Sequence, residues 1–308
     1  MTILIWFIQI IFVSMFSPLV IGIIRKFKAK MQNRQGASIF QPYNDLWKLF
    51  HKDEVISKDA SWIFLYAPYI VFTVTIIVGA SIPLFASFLD NSLTSDILVV
   101  VYTLAIGTFF LALAGLDTGS AFGGFGSSRE MTFSALAEGG LIFSLLTIAL
   151  VAGTTNLMEI SNESLFTQSE YLLPIVLAFA GFFIVLLAET KRFPFDNPST
   201  HLELTMIHEA MILEYSGKRL ALMEWASANK LVIFIALGAN LFFPVGLAHD
   251  ASLMAVSIGI GAFIVKIIIF CLAIAIIESS MAKFRIFRLP DLLVTAFILN
   301  VVAIGLIF

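Results

Sequence analysis

Residues 171–196, YLLPIVLAFAGFFIVLLAETKRFPFD, decide how this chain is read. The first eighteen carry no charged side chain; then Glu189, Lys191, Arg192 and Asp196 arrive together around Pro194 and Phe195. An apolar run of about 18 residues is long enough to cross the hydrocarbon core of a bilayer as a helix. Pro194 and Pro198 end a helix and turn the chain. Lys191 and Arg192 are expected to hold that end at the cytoplasmic surface.

The same pattern recurs along the chain. Apolar runs lie at roughly 3–24, 62–88, 97–116, 131–153, 171–189, 230–248, 252–277 and 290–308. None alternates with period two, which excludes a membrane β-barrel. The 308 residues are 59% hydrophobic and 13% charged, with a mean hydropathy of +0.99. Such a balance excludes a soluble domain of this size. The expected fold is all-α and polytopic: a single transmembrane domain, 1–308, with eight spans and two long loops near 25–61 and 190–229. Basic residues, not a small-residue cleavage site, follow the first run, so it is expected to stay as the first span. The single cysteine, Cys271, falls inside the seventh run and reads as a packed thiol.

Orientation follows from lysine and arginine. Of the 18, all but Lys266 fall in or beside the odd-numbered connections. The even connections near 89–96, 154–170 and 249–251 carry acids instead: Asp90, Asp96, Glu159, Glu163, Glu170 and Asp250. Basic connections stay in the cytoplasm, so both termini are expected outside.

In the first long loop, Phe40, Tyr43, Trp47 and Phe50 recur at helical spacing, with Asp45, Lys48 and Lys52 on other faces. That pattern suits an amphipathic helix in the interface, either a docking surface or a plain anchor. The second long loop becomes helical in pattern from about 200. On one continuous helix Glu203 and Glu214 fall within about 20° of each other in azimuth. The apolar residues between them require a surface to pack on. "GGFGSSRE", 123–130, has no P-loop lysine in register and reads as a flexible turn. His201, His208 and Glu209 lack the spacing that brings two imidazoles to one metal, so no metal site is expected.

Ionisable groups inside spans are costly and usually face a polar interior or a partner. Glu138 lies about 10 Å inward from one end of the fourth span, Lys266 near the centre of the seventh, and Glu189 at the end of the fifth. Each fits either a proton relay or a fixed ion pair.

Several segments resemble the complex I subunit 1 (H subunit) family, and more closely its branch in energy-converting nickel–iron hydrogenases of the hydrogenase-4 and formate hydrogenlyase type. "KMQNRQGASIFQPYNDLWKLFHKDE" resembles the family's first loop, with the short Gly36–Gln41 spacing of the hydrogenase branch. "GLDTGSAFGGFGSSREM", 115–131, looks like that branch too, and Glu138 follows Arg129 at the family's interval. "ETKRFPFDNP", "EYSG" at 214–217 and "ESSMAKFRI" at 278–286 are similar to further family signatures. The chain departs from the family after Pro198, where "STHLEL" replaces an acid-rich run and the following segment is longer by His208 and Glu209.

The resemblance implies a membrane anchor and ion-coupling subunit with no redox centre of its own. The implied partners are nickel–iron hydrogenase-like large and small subunits, an iron–sulfur subunit and antiporter-like membrane subunits. The nickel–iron centre and iron–sulfur clusters would lie in those partners. Taken with the charges placed inside spans, the expected proton path is Glu138, Lys266, Glu189, Glu203 and Glu214. The implied contacts with the soluble arm are Arg34, Arg129, Arg192, Asp196 and Tyr215. An alternative is the quinone-site subunit of a respiratory oxidoreductase. A stand-alone transporter would be expected to show an internal repeat and a pair of broken spans, and neither is evident in the sequence.

Overall fold

A computed structural model describes residues 2–57, 60–88, 94–162, 169–196, 206–282 and 284–308. Among them eight helices are long and apolar enough to cross a membrane. These are α1 (Thr2–Met31), α3 (Trp62–Ser81), α4 (Ile97–Asp117), α5 (Ala121–Ala152), α7 (Leu172–Glu189), α9 (Gly217–Leu241), α10 (Leu253–Ser280) and α11 (Leu289–Gly305). Three shorter helices, α2 (Gln41–Phe50), α6 (Leu157–Ile160) and α8 (His208–Ile212), lie in the connections. The chain is an integral membrane protein.

Helix ends follow local chemistry. Ser120, Asp96 and Ser252 accept backbone N–H groups and so start α5, α4 and α10. Asp117 at the end of α4 accepts the N–H groups of Ser61 (2.7 Å) and Phe64 (3.3 Å) at the start of α3, tying the two helices together. α9 is the centre of the bundle: residues 231–242 are buried without exception. It packs on α3, α1, α10 and α7, while α5, α7 and α11 form a second group. Asn229 in α9 accepts from Ser17 of α1 (2.7 Å) and donates to Thr75 of α3 (3.1 Å), a polar pin through the apolar core.

The helices and the apolar runs do not coincide, and each difference has a physical cause. α1 continues to Met31, so the first long loop begins later than residue 25. α5 begins at Ala121, so "GGFGSSRE" is helical and not a turn. Its glycines are there for close packing: a Cβ at Gly123 would lie 2.2 Å from the carbonyl oxygen of Gly115 on α4. α9 begins at Gly217, so its first turns fill much of what reads as the 190–229 loop. Glu203 lies outside the described residues. Glu214 sits in the turn between α8 and α9, so no single helix carries it across that segment.

Conversely, α3 and α9 stop short of the ends of their apolar runs, just before Pro83 and Pro244. The residues that follow are extended and pair with each other. Ser87 donates its N–H to the carbonyl of Ala248 (3.1 Å), and Ala248 returns one to Phe85 (2.9 Å). Backbone leaves helix inside a membrane protein only where other groups satisfy it, and here each segment satisfies the other.

Candidate functional site

The end of α7 places the site. Thr190 donates its hydroxyl to Leu186 (2.6 Å), and Lys191 closes the helix in a left-handed conformation, φ +57°. That conformation costs a non-glycine residue roughly 1–3 kcal/mol. It turns the Lys191 side chain into the bundle and away from the surface. There Lys191 Nζ touches Nδ1 of His208 at the start of α8 and lies 3.7 Å from Glu130 of α5. Arg192 also points inward, 3.2 Å from Glu278 of α10, which Lys28 of α1 reaches at the same distance. The two cations expected to hold the loop at the surface therefore stabilise the interior of the basic end.

Beyond this group, Lys230 of α9 lies 2.6 Å from Glu189. Glu138 accepts the Ser134 hydroxyl at 3.1 Å and lies within electrostatic reach of Glu189 and Lys230. Ionisable groups from α5, α7, α8 and α9 thus form one cluster. Three cavities lead to it. One of about 180 Å³ lies beneath α2, between Asp45, Arg25 and Glu224. A second, about 70 Å³, shares Arg25 and Glu224 and reaches Lys191 and His208. A third, about 40 Å³, shares Lys191 and His208 and reaches Lys230.

Electrostatics separate the groups outside the spans. Burial lowers the Lys191 pKa, and the facing Glu130 opposes this. Burial, then Lys191 and Lys230, push His208 well below its usual value. Burial raises Glu209 to about 7, helped by Glu224 and Asp196 and opposed by Lys191. Between pH 4.5 and 7 folded Glu209 therefore holds a proton that the unfolded chain has lost, and stability falls as pH rises through that window. Glu209→Gln removes the penalty. Thermal unfolding in detergent should show the variant equal to wild type near pH 4.5 and more stable by about 2 kcal/mol near pH 8. Equal stability at both pH values refutes this.

The remaining sequence candidates are scattered. Lys266 donates to Oδ1 of Asn240 (2.8 Å) and the carbonyl of Phe243 (2.7 Å), beyond the last turn of α9. Lys230 and Asn240 are ten residues apart on α9, so Lys266 stands about 15 Å from the cluster along that helix. Glu214 and Arg34 are exposed, whereas Asp196 is buried. Arg129 donates to the carbonyl of Met206 (3.1 Å), just before α8. Tyr215 stacks on Phe64, ring centroids 4.0 Å apart, and donates to its carbonyl at 2.9 Å. Of the predicted path residues the structure brings Glu138 and Glu189 together. Sequence reasoning missed Glu130 and Lys230 as members. Glu130 lies eight residues before Glu138 on the same helix, a spacing that was available once α5 was known to start at Ala121.

The sequence matches the family described as NADH dehydrogenase over residues 3–308. It is 34% identical to hydrogenase-4 component C of Escherichia coli (strain K12) over 277 residues, 90% of this chain and 87% of that one. It is 30% identical to formate hydrogenlyase subunit 4 of the same strain over 286 residues, 93% and 92% of the two chains. It is 32% identical to the H subunit of NADH-quinone oxidoreductase from Paraburkholderia xenovorans (strain LB400), over 68% of this chain and 62% of that one. The fold is that of a chain in the membrane-bound sulfane sulfur reductase, an archaeal respiratory membrane complex, with a TM-score of 0.81 at 22% identity over 98% and 99% of the two chains. The chain belongs to the NADH dehydrogenase family of membrane proteins, which includes the H subunit of complex I, and within it is similar to subunits of hydrogenase-4 and formate hydrogenlyase.

Proposed function

We propose that this chain is the membrane anchor and ion-coupling subunit of a complex I-like oxidoreductase of the hydrogenase-4 or formate hydrogenlyase type. It links redox chemistry in a soluble arm to proton movement across the prokaryotic cytoplasmic membrane, with both termini outside. The observation that carries this reading is the continuity of ionisable groups. They run from the cavities at the basic end, past Lys191 and His208, to Lys230, Glu189 and Glu138 inside the bundle. Buried groups that titrate are the means by which a helix bundle passes protons. The cluster mixes amines, an imidazole and carboxylates, which suits protons better than Na⁺, a hard cation that prefers oxygen ligands.

The nickel–iron centre and iron–sulfur clusters belong to the partner subunits in this reading. In this reading the contact with the soluble arm is made by the exposed Trp47 of α2, Phe40 just before it, and the exposed Leu213 and Glu214 of the 190–217 segment. A quinone-site role is the second reading. An apolar cavity of about 590 Å³ lined by Phe179, Phe183, Phe270 and Lys266 falls within the about 300–1,000 Å³ of ligand pockets. It lies at Lys266, away from the cluster, and the cavity under α2 offers about 180 Å³.

Mild detergent extraction tests the assembly. Hydrogenase-like and iron–sulfur subunits should co-purify, and the reconstituted complex should move protons when given an electron donor and acceptor. Purification of this chain alone, or turnover in tight vesicles without ion movement, overturns the reading.

A further inference from the structure

We propose that Lys191 and His208 form a proton-exchange pair that shares one proton and joins the basic-end cavity to the carboxylates inside the bundle. This deepens the ion-coupling reading above and rests on it.

The geometry is specific. Lys191 Nζ contacts His208 Nδ1, so Nδ1 accepts and the imidazole carries its proton on Nε2. Both residues line both the 70 Å³ and the 40 Å³ cavities, so the pair stands between them. A lysine at a helix end ordinarily extends its amine to water. Here a strained backbone turns it inward onto a second base. Two cations in contact and out of water are strongly disfavoured, so the pair holds one positive charge.

The facing groups complete the circuit. From α5, Glu130 lies 3.7 Å from Lys191. From α7 and α9, Glu189 and Lys230 form the next pair inward. On the other side Glu209 and Glu224 line the 70 Å³ cavity with Arg25 and Asp196, and Arg192 is engaged with Glu278. A cavity of that size holds about two waters.

The step conserves atoms and charge. The Nζ–H bond of Lys191 breaks and an Nδ1–H bond forms on His208, leaving a neutral amine and an imidazolium. The imidazolium then loses its Nε2 proton to water in the 70 Å³ cavity, and Lys191 regains a proton from water in the 40 Å³ cavity on the cluster side. One proton has moved outward from the cluster and no electrons are exchanged. A turn of the ring away from Lys191, exchange of the Nδ1 proton to Nε2 through cavity water, and return of the ring restore the starting tautomer with no net proton taken up or lost, and the reverse sequence loads the cluster.

The experiment uses the intact membrane complex in proteoliposomes. His208→Asn keeps an acceptor toward Lys191, and Lys191→Arg keeps a cation and its donors, yet neither replacement exchanges protons near neutral pH. Each is expected to assemble and to lower protons moved per electron by about tenfold or more. Glu138→Gln is measured beside them. If Glu138→Gln stops ion movement and the two pair variants do not, the exchange pair is refuted and the ion-coupling reading stands. If the wild-type complex moves no ions, the ion-coupling reading fails, and the pair is then judged by spectroscopy.

The chain has four histidines, so the isotope-labelled imidazole of His208 is identified by its loss in His208→Asn. Replacing Lys191 by Met removes the adjacent cation and should raise the His208 titration by about one pH unit or more. An unchanged titration shows that the two groups do not share a proton and overturns the proposal irrespective of ion movement.

Discussion

Glu278→Ala is expected to cost the protein on the order of 3–5 kcal/mol and to leave little folded chain in the membrane. Glu278 is buried near the end of α10, with Arg192 on one oxygen and Lys28 on the other, each at 3.2 Å. Arg192 is itself buried, and Lys28 lies over the Phe193 ring, 4.7 Å from its centroid. Removing the carboxylate leaves the buried Arg192 facing the half-buried Lys28 with no counter-charge between them. Removing Arg192 alone is milder, because Lys28 still neutralises Glu278. The expected order of stability is therefore wild type, then Arg192→Met, then Glu278→Ala. The Glu278→Ala, Arg192→Met double variant should recover part of the loss, since one stranded cation has gone. Thermal unfolding of the detergent-solubilised chain and its yield in membranes measure all four. Wild-type stability in Glu278→Ala would mean that this triad does not hold α1, the 190–196 turn and α10 together.

The same triad shows what could be read from the chain and what could not. The existence of eight spans was legible because about 18 consecutive apolar residues have few other fates. Their ends were less so. Hydropathy continues through Pro83 and Pro244, where the backbone has already left the helix to pair with another broken segment. The prolines were the available signal, since a helix usually ends at or before the residue preceding one. At α5 the error ran the other way. A glycine-rich stretch suggests a turn, but Ser120 caps a helix there and the glycines admit the backbone of α4.

Among the site residues, Glu138 and Glu189 were legible because a carboxylate in or beside a span needs an explanation. Lys230 was not, because it reads as the edge of a loop until α9 is seen to start at Gly217. Arg192 and Asp196 read as surface charges because a sequence says nothing about which way a side chain turns at a helix end. Arg192 is held inward by Glu278, 86 residues away, and Asp196 accepts the backbone N–H of His208 at 3.4 Å.

The second large effect expected is the loss of ion movement in Glu138→Gln, about tenfold or more, with the complex still assembled. Glutamine keeps an acceptor for the Ser134 hydroxyl, and Lys230 keeps its partner Glu189 at 2.6 Å, so no buried charge is stranded. What the variant loses is titration at the innermost carboxyl of the cluster. Lys266→Met is expected to behave differently. Its ammonium meets the Phe243 carbonyl just past the end of α9 and the Asn240 amide oxygen. Asn240 in turn donates to the carbonyls of Pro83 and Leu84, at 2.9 and 2.6 Å. A cation at a helix C-terminus is favourable, and here it also satisfies backbone that has left the helix. Losing it should lower stability by about 1–3 kcal/mol while ion movement per assembled complex persists. Because the two residues lie in separate groups, the effects should add in the double variant. Proton uptake and complex yield, measured together in proteoliposomes for both singles and the double, separate these roles. Full ion movement in well-assembled Glu138→Gln removes Glu138 from the path. Normal yield with lost ion movement in Lys266→Met makes Lys266 part of the path and not a cap.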